Sequence, residues 1–260
     1  VVAGTLGGME ITEFVETLRL DGGLLADAAE EAGPEAPIPA CPEWRMRDLV
    51  LHTGRVHRWA TGFVTDPRDQ PYPLPEAPEL ADDELAPWLR EGHHQLVLAL
   101  HTAPRDLATW TIRPASSPLA FWARRQAHET SVHRADAQQA AGVPLTPLPA
   151  PFAADGIDEL VTGFHTHERS RLRPETPRTV RLRATDTPGA EWTMHLTPDA
   201  PPRTERTAAS DAPGGEAVDT TVEGPAETLY LAVWNRLPWD GLTVSGDPSL
   251  PALWQERGGL

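Results

Sequence analysis

The residues best suited to chemistry lie in HETSVHR, residues 128–134. The segment is one residue too long for the His-Glu-x-x-His pattern of zinc proteases. His128 and His133 are five positions apart, about 140° around a helix axis, so they do not share a face. Glu129 and His133 are four apart, about 40° around the axis and one turn along, so one ion can meet both. The productive unit is therefore Glu-x-x-x-His, which argues against a zinc protease. A catalytic zinc site takes three protein ligands and keeps a fourth position open. The third ligand must come from another element. VLHTGRVHRW supplies His52, flanked at helical spacing by Leu49, Val56 and Trp59, and the same phase turns His57 elsewhere. Taken alone, such a pair on a helix is ordinarily solvated, and a lone core-facing histidine is ordinarily hydrogen-bonded structure. Two such elements facing each other in a bundle change that balance, because bundle cores are where facing helices build metal sites.

Other reactive side chains carry less. Asp136, three residues after His133, is suited either to orienting that ligand or to a helix surface beside Arg134. Cys41 is expected to pack at the turn before its helix rather than act as a nucleophile. His93, His94, His165, His167 and His195 are scattered and read as surface or locally bonded. Most of the nine Trp are core material, with Trp59 and Trp122 candidates for a cavity wall. There is no Gly-rich phosphate loop, no G-x-S-x-G elbow and no cysteine cluster.

These residues need helices to position them. Apolar spacing predicts a helix over residues 10–32, interrupted in promise by Gly22 and Gly23 and ending at Gly33-Pro34. A second runs from about Arg45 to Val64, buried through Met46, Leu49, Val50, Val56, Trp59 and Phe63. A third spans Asp82 to about His101. A fourth spans Pro118 to Ala141 and stops at Gly142. Four amphipathic helices predict a four-helix bundle over 9–145. Beyond LTPLPAPF the pattern changes. Residues 152–170 read as helix, TVRLRATD and EWTMHLTP as strands around Pro188-Gly189, and residues 203–224 as further short strands. PAETLYLAVWNRL and SLPALWQE read as helices. The fold class is thus α plus α+β, with a smaller α+β domain over 151–260.

Composition narrows the function. Of 260 residues, 40% are hydrophobic and 23% charged, as in an ordinary soluble globular protein. A formal charge of −16 with no basic stripe makes nucleic acid an unfavoured partner. No apolar run suits a membrane, and VVAGTLGGMEITEF lacks a signal peptide's basic and apolar regions, so a cytoplasmic protein is expected, with Met9 a candidate start. One cysteine excludes an intrachain disulfide. All 22 basic residues are Arg. With abundant Ala, Pro and Gly, this points to a GC-rich genome of actinobacterial type.

CPEWRMRDLVLHTGRVHRWA and FWARRQAHETSVHRADA together resemble the N-terminal domain of the mycothiol-dependent maleylpyruvate isomerase family, within the DinB-like metalloenzyme superfamily. VEGPAETLYLAVWNRL and LTVSGDPSL resemble its C-terminal domain, so the resemblance covers nearly the whole chain. It implies a divalent ion, first of all zinc, on His52, Glu129 and His133, the residues that helical geometry selects. It implies mycothiol as thiol cosubstrate and a small electrophilic substrate, with cis-trans isomerisation or thiol S-transfer as the reaction. It also implies an active-site Arg that maps onto Arg236 in AVWNR, although that side chain is equally suited to stabilising a helix C-terminus. The second domain resembles a sterol-carrier-like module. That keeps open a non-catalytic small-molecule-binding or regulatory protein, beside a thiol-independent metal-dependent tailoring enzyme. Oligomeric state is left open.

Overall fold

The computed structural model describes residues 8–206 and 218–259. The chain divides into two compact units, Met9–Thr146 and a second that begins at Pro147.

The first unit is a four-helix bundle: α1 (Ile11–Ala32), α2 (Met46–Thr65), α3 (Leu85–Thr102) and α4 (Pro118–Ala141). α1 packs chiefly on α4, and α2 on α3. Leu25, Ile38, Met46, Leu49, Leu85 and Leu89 share one buried cluster. Each end has a local cause. The Glu10 N–H donates to Glu13 Oε2 at α1, and the Arg45 N–H to Asp48 Oδ2 at α2. Ser117 Oγ accepts from the Ala120 N–H at α4, with Pro118 in the first turn. α4 ends where Gly142 takes φ +69°, the left-handed conformation glycine adopts without strain.

A feature absent from the sequence reading lies between α1 and α2. Strands β1 (Pro37–Ile38) and β2 (Cys41–Arg45) form a small antiparallel hairpin. The Met46 and Arg47 N–H groups donate to Ala36 O and Pro34 O, fastening the first turn of α2 to it. Cys41 is half-buried and packs against the cluster above.

α1 runs unbroken through Gly22 and Gly23, for a packing reason. A Cβ on Gly22 would lie 2.3 Å from the His93 ring of α3, whereas one on Gly23 would meet nothing within 4 Å. Gly22→Ala should therefore cost about 1–3 kcal/mol through overpacking. Gly23→Ala should gain about 0.5–1 kcal/mol through helix propensity. Denaturant unfolding of the two variants checks the opposite signs.

α4 departs from the amphipathic expectation. It is buried almost all round, including Arg125, Gln126, His128, Thr130, Ser131, His133, Arg134 and Asp136. Its interior polar groups must therefore find partners. Arg134, for example, donates to Gln138 Oε1 and Thr146 O and lies 3.3 Å from Asp21.

The second unit carries α5 (Ala150–Asp158), continued by one π-helical stretch (Glu159–Phe164). Among the described residues its mixed sheet has five strands in the order β5-β4-β3-β6-β7. The strands are β3 (Arg178–Ala184), β4 (Glu191–Leu196), β5 (Arg203–Arg206), β6 (Thr220–Gly224) and β7 (Thr243–Gly246). β3 and β4 form a hairpin around Gly189 at φ +77°, and β3 pairs β6 in parallel. α6 (Ala226–Val233) packs on α5 and reaches β3 and β6, and α7 (Leu250–Arg257) follows β7. The architecture is a helical domain followed by an α+β domain. Part of the segment read as short strands, residues 207–217, lies outside the described residues. Among those described, no helix is long and apolar enough to cross a membrane.

Candidate metal centre

α2 and α4 bring three side chains together. Ligand atoms of His52, Glu129 and His133 all lie within 4.8 Å of one another, and no other such group occurs among the described residues. Glu129 Oε1 is 3.1 Å from His52 Nε2 and 3.3 Å from His133 Nε2. Those edges match the roughly 3.3 Å separating ligands of a tetrahedral ion with bonds of about 2.0–2.1 Å. Two imidazole nitrogens and one carboxylate oxygen are also a fitting donor set for zinc and its neighbours. The residues present fit a divalent ion.

The surroundings fix each donor. Asp136 is fully buried, and its Oδ2 accepts from His133 Nδ1 at 2.9 Å. It is therefore an orienting carboxylate and not a surface one, and it turns His133 Nε2 toward Glu129. Arg125, four residues before Glu129, donates to Glu129 Oε2 at 2.7 Å. Trp44, on β2, lies over both histidines, with ring centroids 5.0 Å from His52 and 6.1 Å from His133. The hairpin thus supplies an aromatic wall. Side-chain exposure falls from 29% at His52 to 9% at His133, so the centre opens toward α2.

Electrostatics follow from these contacts. Burial pushes the His133 imidazolium down, but the bonds to Asp136 and Glu129 outweigh it and raise the group to about 9. Burial likewise pushes Glu129 up. The bonds from His133 and His52 and the Arg125 charge outweigh that and hold its carboxyl well below the usual range.

The phase argument for α2 needs correction. The fully buried histidine is His57, whose Nε2 lies 2.9 Å from Thr130 Oγ1, while Val56 and Trp59 are only half-buried. Burial, then the nearby His93, pushes His57 well below the ordinary imidazole range. His52 is half-buried, at the border of the buried stripe of α2. Trp59 and Trp122 belong to a packed aromatic cluster with Phe63 and Trp110, and Trp122 is fully buried. They lie two helical turns along α2 and α4 from His52 and Glu129. Of the scattered histidines, His93 is bonded to Leu18 O and His165 to Ser170 Oγ.

Sequence reasoning missed Trp44 and Arg125 as parts of the centre. Both left a signal: Trp44 in the C-P-x-W stretch, and Arg125 at the same i, i+4 spacing that links Glu129 to His133.

Residues 17–138 match the family model for the mycothiol maleylpyruvate isomerase N-terminal domain, and residues 151–253 match that for the MDMPI C-terminal domain. The chain belongs to the mycothiol-dependent maleylpyruvate isomerase family. Two solved structures share its fold. One is the crystal structure of the mycothiol-dependent maleylpyruvate isomerase, 15% identical with a TM-score of 0.63. The other is a histidine-to-alanine variant under the same name, 14% identical with a TM-score of 0.65. Each alignment covers 94% of this chain and 96% of the other. No protein of curated function matches the sequence significantly. The remaining candidate of the family pattern, Arg236, belongs to the second unit. It lies just past α6, after Asn235 at φ +58°, and its Nη1 donates to Trp234 O at 2.7 Å. The acceptor is the carbonyl of the residue that caps α6.

Proposed function

We propose that this chain is a mycothiol-dependent metalloenzyme that adds a thiolate to an electrophilic small molecule, with His52, Glu129 and His133 holding a divalent ion, first of all zinc. The meeting of three donor atoms from two helices, in a chain of this family, carries the reading. When bound, the ion supplies stabilisation of thiolate over thiol at neutral pH.

The chain's own residues do the rest. Asp136 keeps His133 Nε2 aimed at the centre, and Trp44 shields the two imidazoles from water. Arg236, by the family pattern, is assigned to a substrate carboxylate, which its planar fork can grip bidentately. The thiolate sulfur would bond one carbon of a cis double bond conjugated to a carbonyl, the π pair moving onto that carbonyl as an enolate, so that the former double bond is single and free to rotate. Expulsion of the sulfur would then return a trans double bond and the thiolate. In S-transfer the sulfur stays, and the adjacent carbon takes the proton that the thiol gave up.

The test is incubation of zinc-loaded protein with mycothiol and maleylpyruvate. Conversion to the trans isomer that needs both metal and thiol supports the isomerase. A stable sulfur adduct found by mass spectrometry with an electrophile supports the transferase. Loaded protein that turns over none of these overturns the catalytic reading and favours a binding protein on the same fold.

A further inference from the structure

Arg125 is 5% exposed, and its Nη2 donates to Glu129 Oε2 at 2.7 Å, within one turn of α4. The other oxygen, Oε1, is the one that faces His52 Nε2 and His133 Nε2. The two oxygens of one carboxylate are thus divided between a guanidinium and the centre. A buried guanidinium keeps its charge, and its short hydrogen bond to a carboxylate oxygen is charge-assisted, so the division is not easily undone.

Its consequence lies in counting donors. Two imidazole nitrogens and one oxygen make three, the number at which a zinc site stays open. A second Glu129 oxygen would make four, the number at which structural zinc sites are closed. We propose that Arg125 is a positioning residue: it occupies Glu129 Oε2 so that the carboxylate offers a single oxygen and a coordination position remains for an exogenous thiolate. The inference rests on the reading of the trio as a metal centre. Charge points the same way. A divalent ion beside Glu129, Asp136 and Arg125 leaves one net positive charge among these groups, which a thiolate cancels. Without Arg125 they are already neutral, and the attraction for an anion is weaker.

The experiment uses the full chain loaded with cobalt(II), with N-acetylcysteine as the thiol probe, in wild type, Arg125→Met and Arg125→Lys. Thermal midpoints report that each is folded. Arg125→Met should bind the thiol at least about tenfold more weakly, on the scale of an outer partner's loss. Its cobalt absorption should shift to that of a higher coordination number. Arg125→Lys, which keeps the charge and one donor at Oε2, should recover most of the thiol affinity and the wild-type spectrum. A folded Arg125→Met with wild-type spectrum and thiol affinity overturns the inference. Wild type that takes up no cobalt overturns the metal reading itself, and this inference falls with it.

Discussion

His52→Ala should abolish stoichiometric metal binding while leaving the bundle folded. Binding free energies of structural zinc sites, about 10–16 kcal/mol, are shared among their ligands. A site of three ligands that loses one therefore forfeits several kcal/mol, about a thousandfold or more in affinity. His52 is the cleanest of the three to remove. It is more than a quarter exposed, so its loss leaves little cavity. Its bond to Glu129 is one of several that the carboxylate makes. His133→Ala should lose the metal equally but also lower the melting temperature, because it withdraws the imidazole from Asp136, a fully buried carboxylate. Metal analysis after dialysis, beside thermal melts of the metal-free proteins, separates the two effects. A folded His52→Ala that keeps one tightly held ion per chain would remove His52 from the ligand set.

Much of this centre was legible because helices convert spacing into direction. Glu129 and His133 follow from a four-residue interval, and the end of α4 follows from Gly142. Burial was less legible. Periodicity places apolar residues inward and is silent about a helix that is buried on all sides. α4 is such a helix, with Arg, Gln, His and Asp in its interior, and its polar residues masked its depth. The same blindness put His57 outside and His52 inside. The core accepts a neutral histidine bonded to Thr130, and His52 takes the half-exposed border position. Trp44 and the β1–β2 hairpin depend on pairing between short segments whose hydrophobic pattern is too brief to read. β7 is four residues long and mostly exposed, so it too left no alternating signature.

Metal loading at pH 7.5 should release close to one proton from His133. Its metal-free imidazole, raised to about 9, carries protons on both nitrogens at that pH, with Nδ1 bonded to Asp136 and Nε2 facing Glu129. A ligand nitrogen must be free of its proton. Apparent affinity should therefore climb about tenfold per pH unit from 6.5 and level off near 9. Calorimetry in two buffers of different ionisation enthalpy counts the proton directly. The metal-free protein should show the opposite slope from this group. Because the folded pKa lies above the unfolded value of 6.5, its stabilisation is fully present below 6.5 and is lost as pH rises through 9. That loss is at most on the order of 3 kcal/mol. Glu129, held low, contributes with the other sign: its share is present above its ordinary range and is lost as pH falls through its depressed folded value. Asp136→Asn joins the two arguments. It removes the orienting carboxylate, so at pH 9 it should bind metal about 10–100-fold more weakly. It also removes a cause of the raised His133 pKa, so the proton competes less at low pH and the gap to wild type should narrow as pH falls. A wild-type affinity that is flat between pH 6.5 and 9, with no proton released, would mean that His133 is neutral before the metal arrives and that Asp136 serves only to aim it.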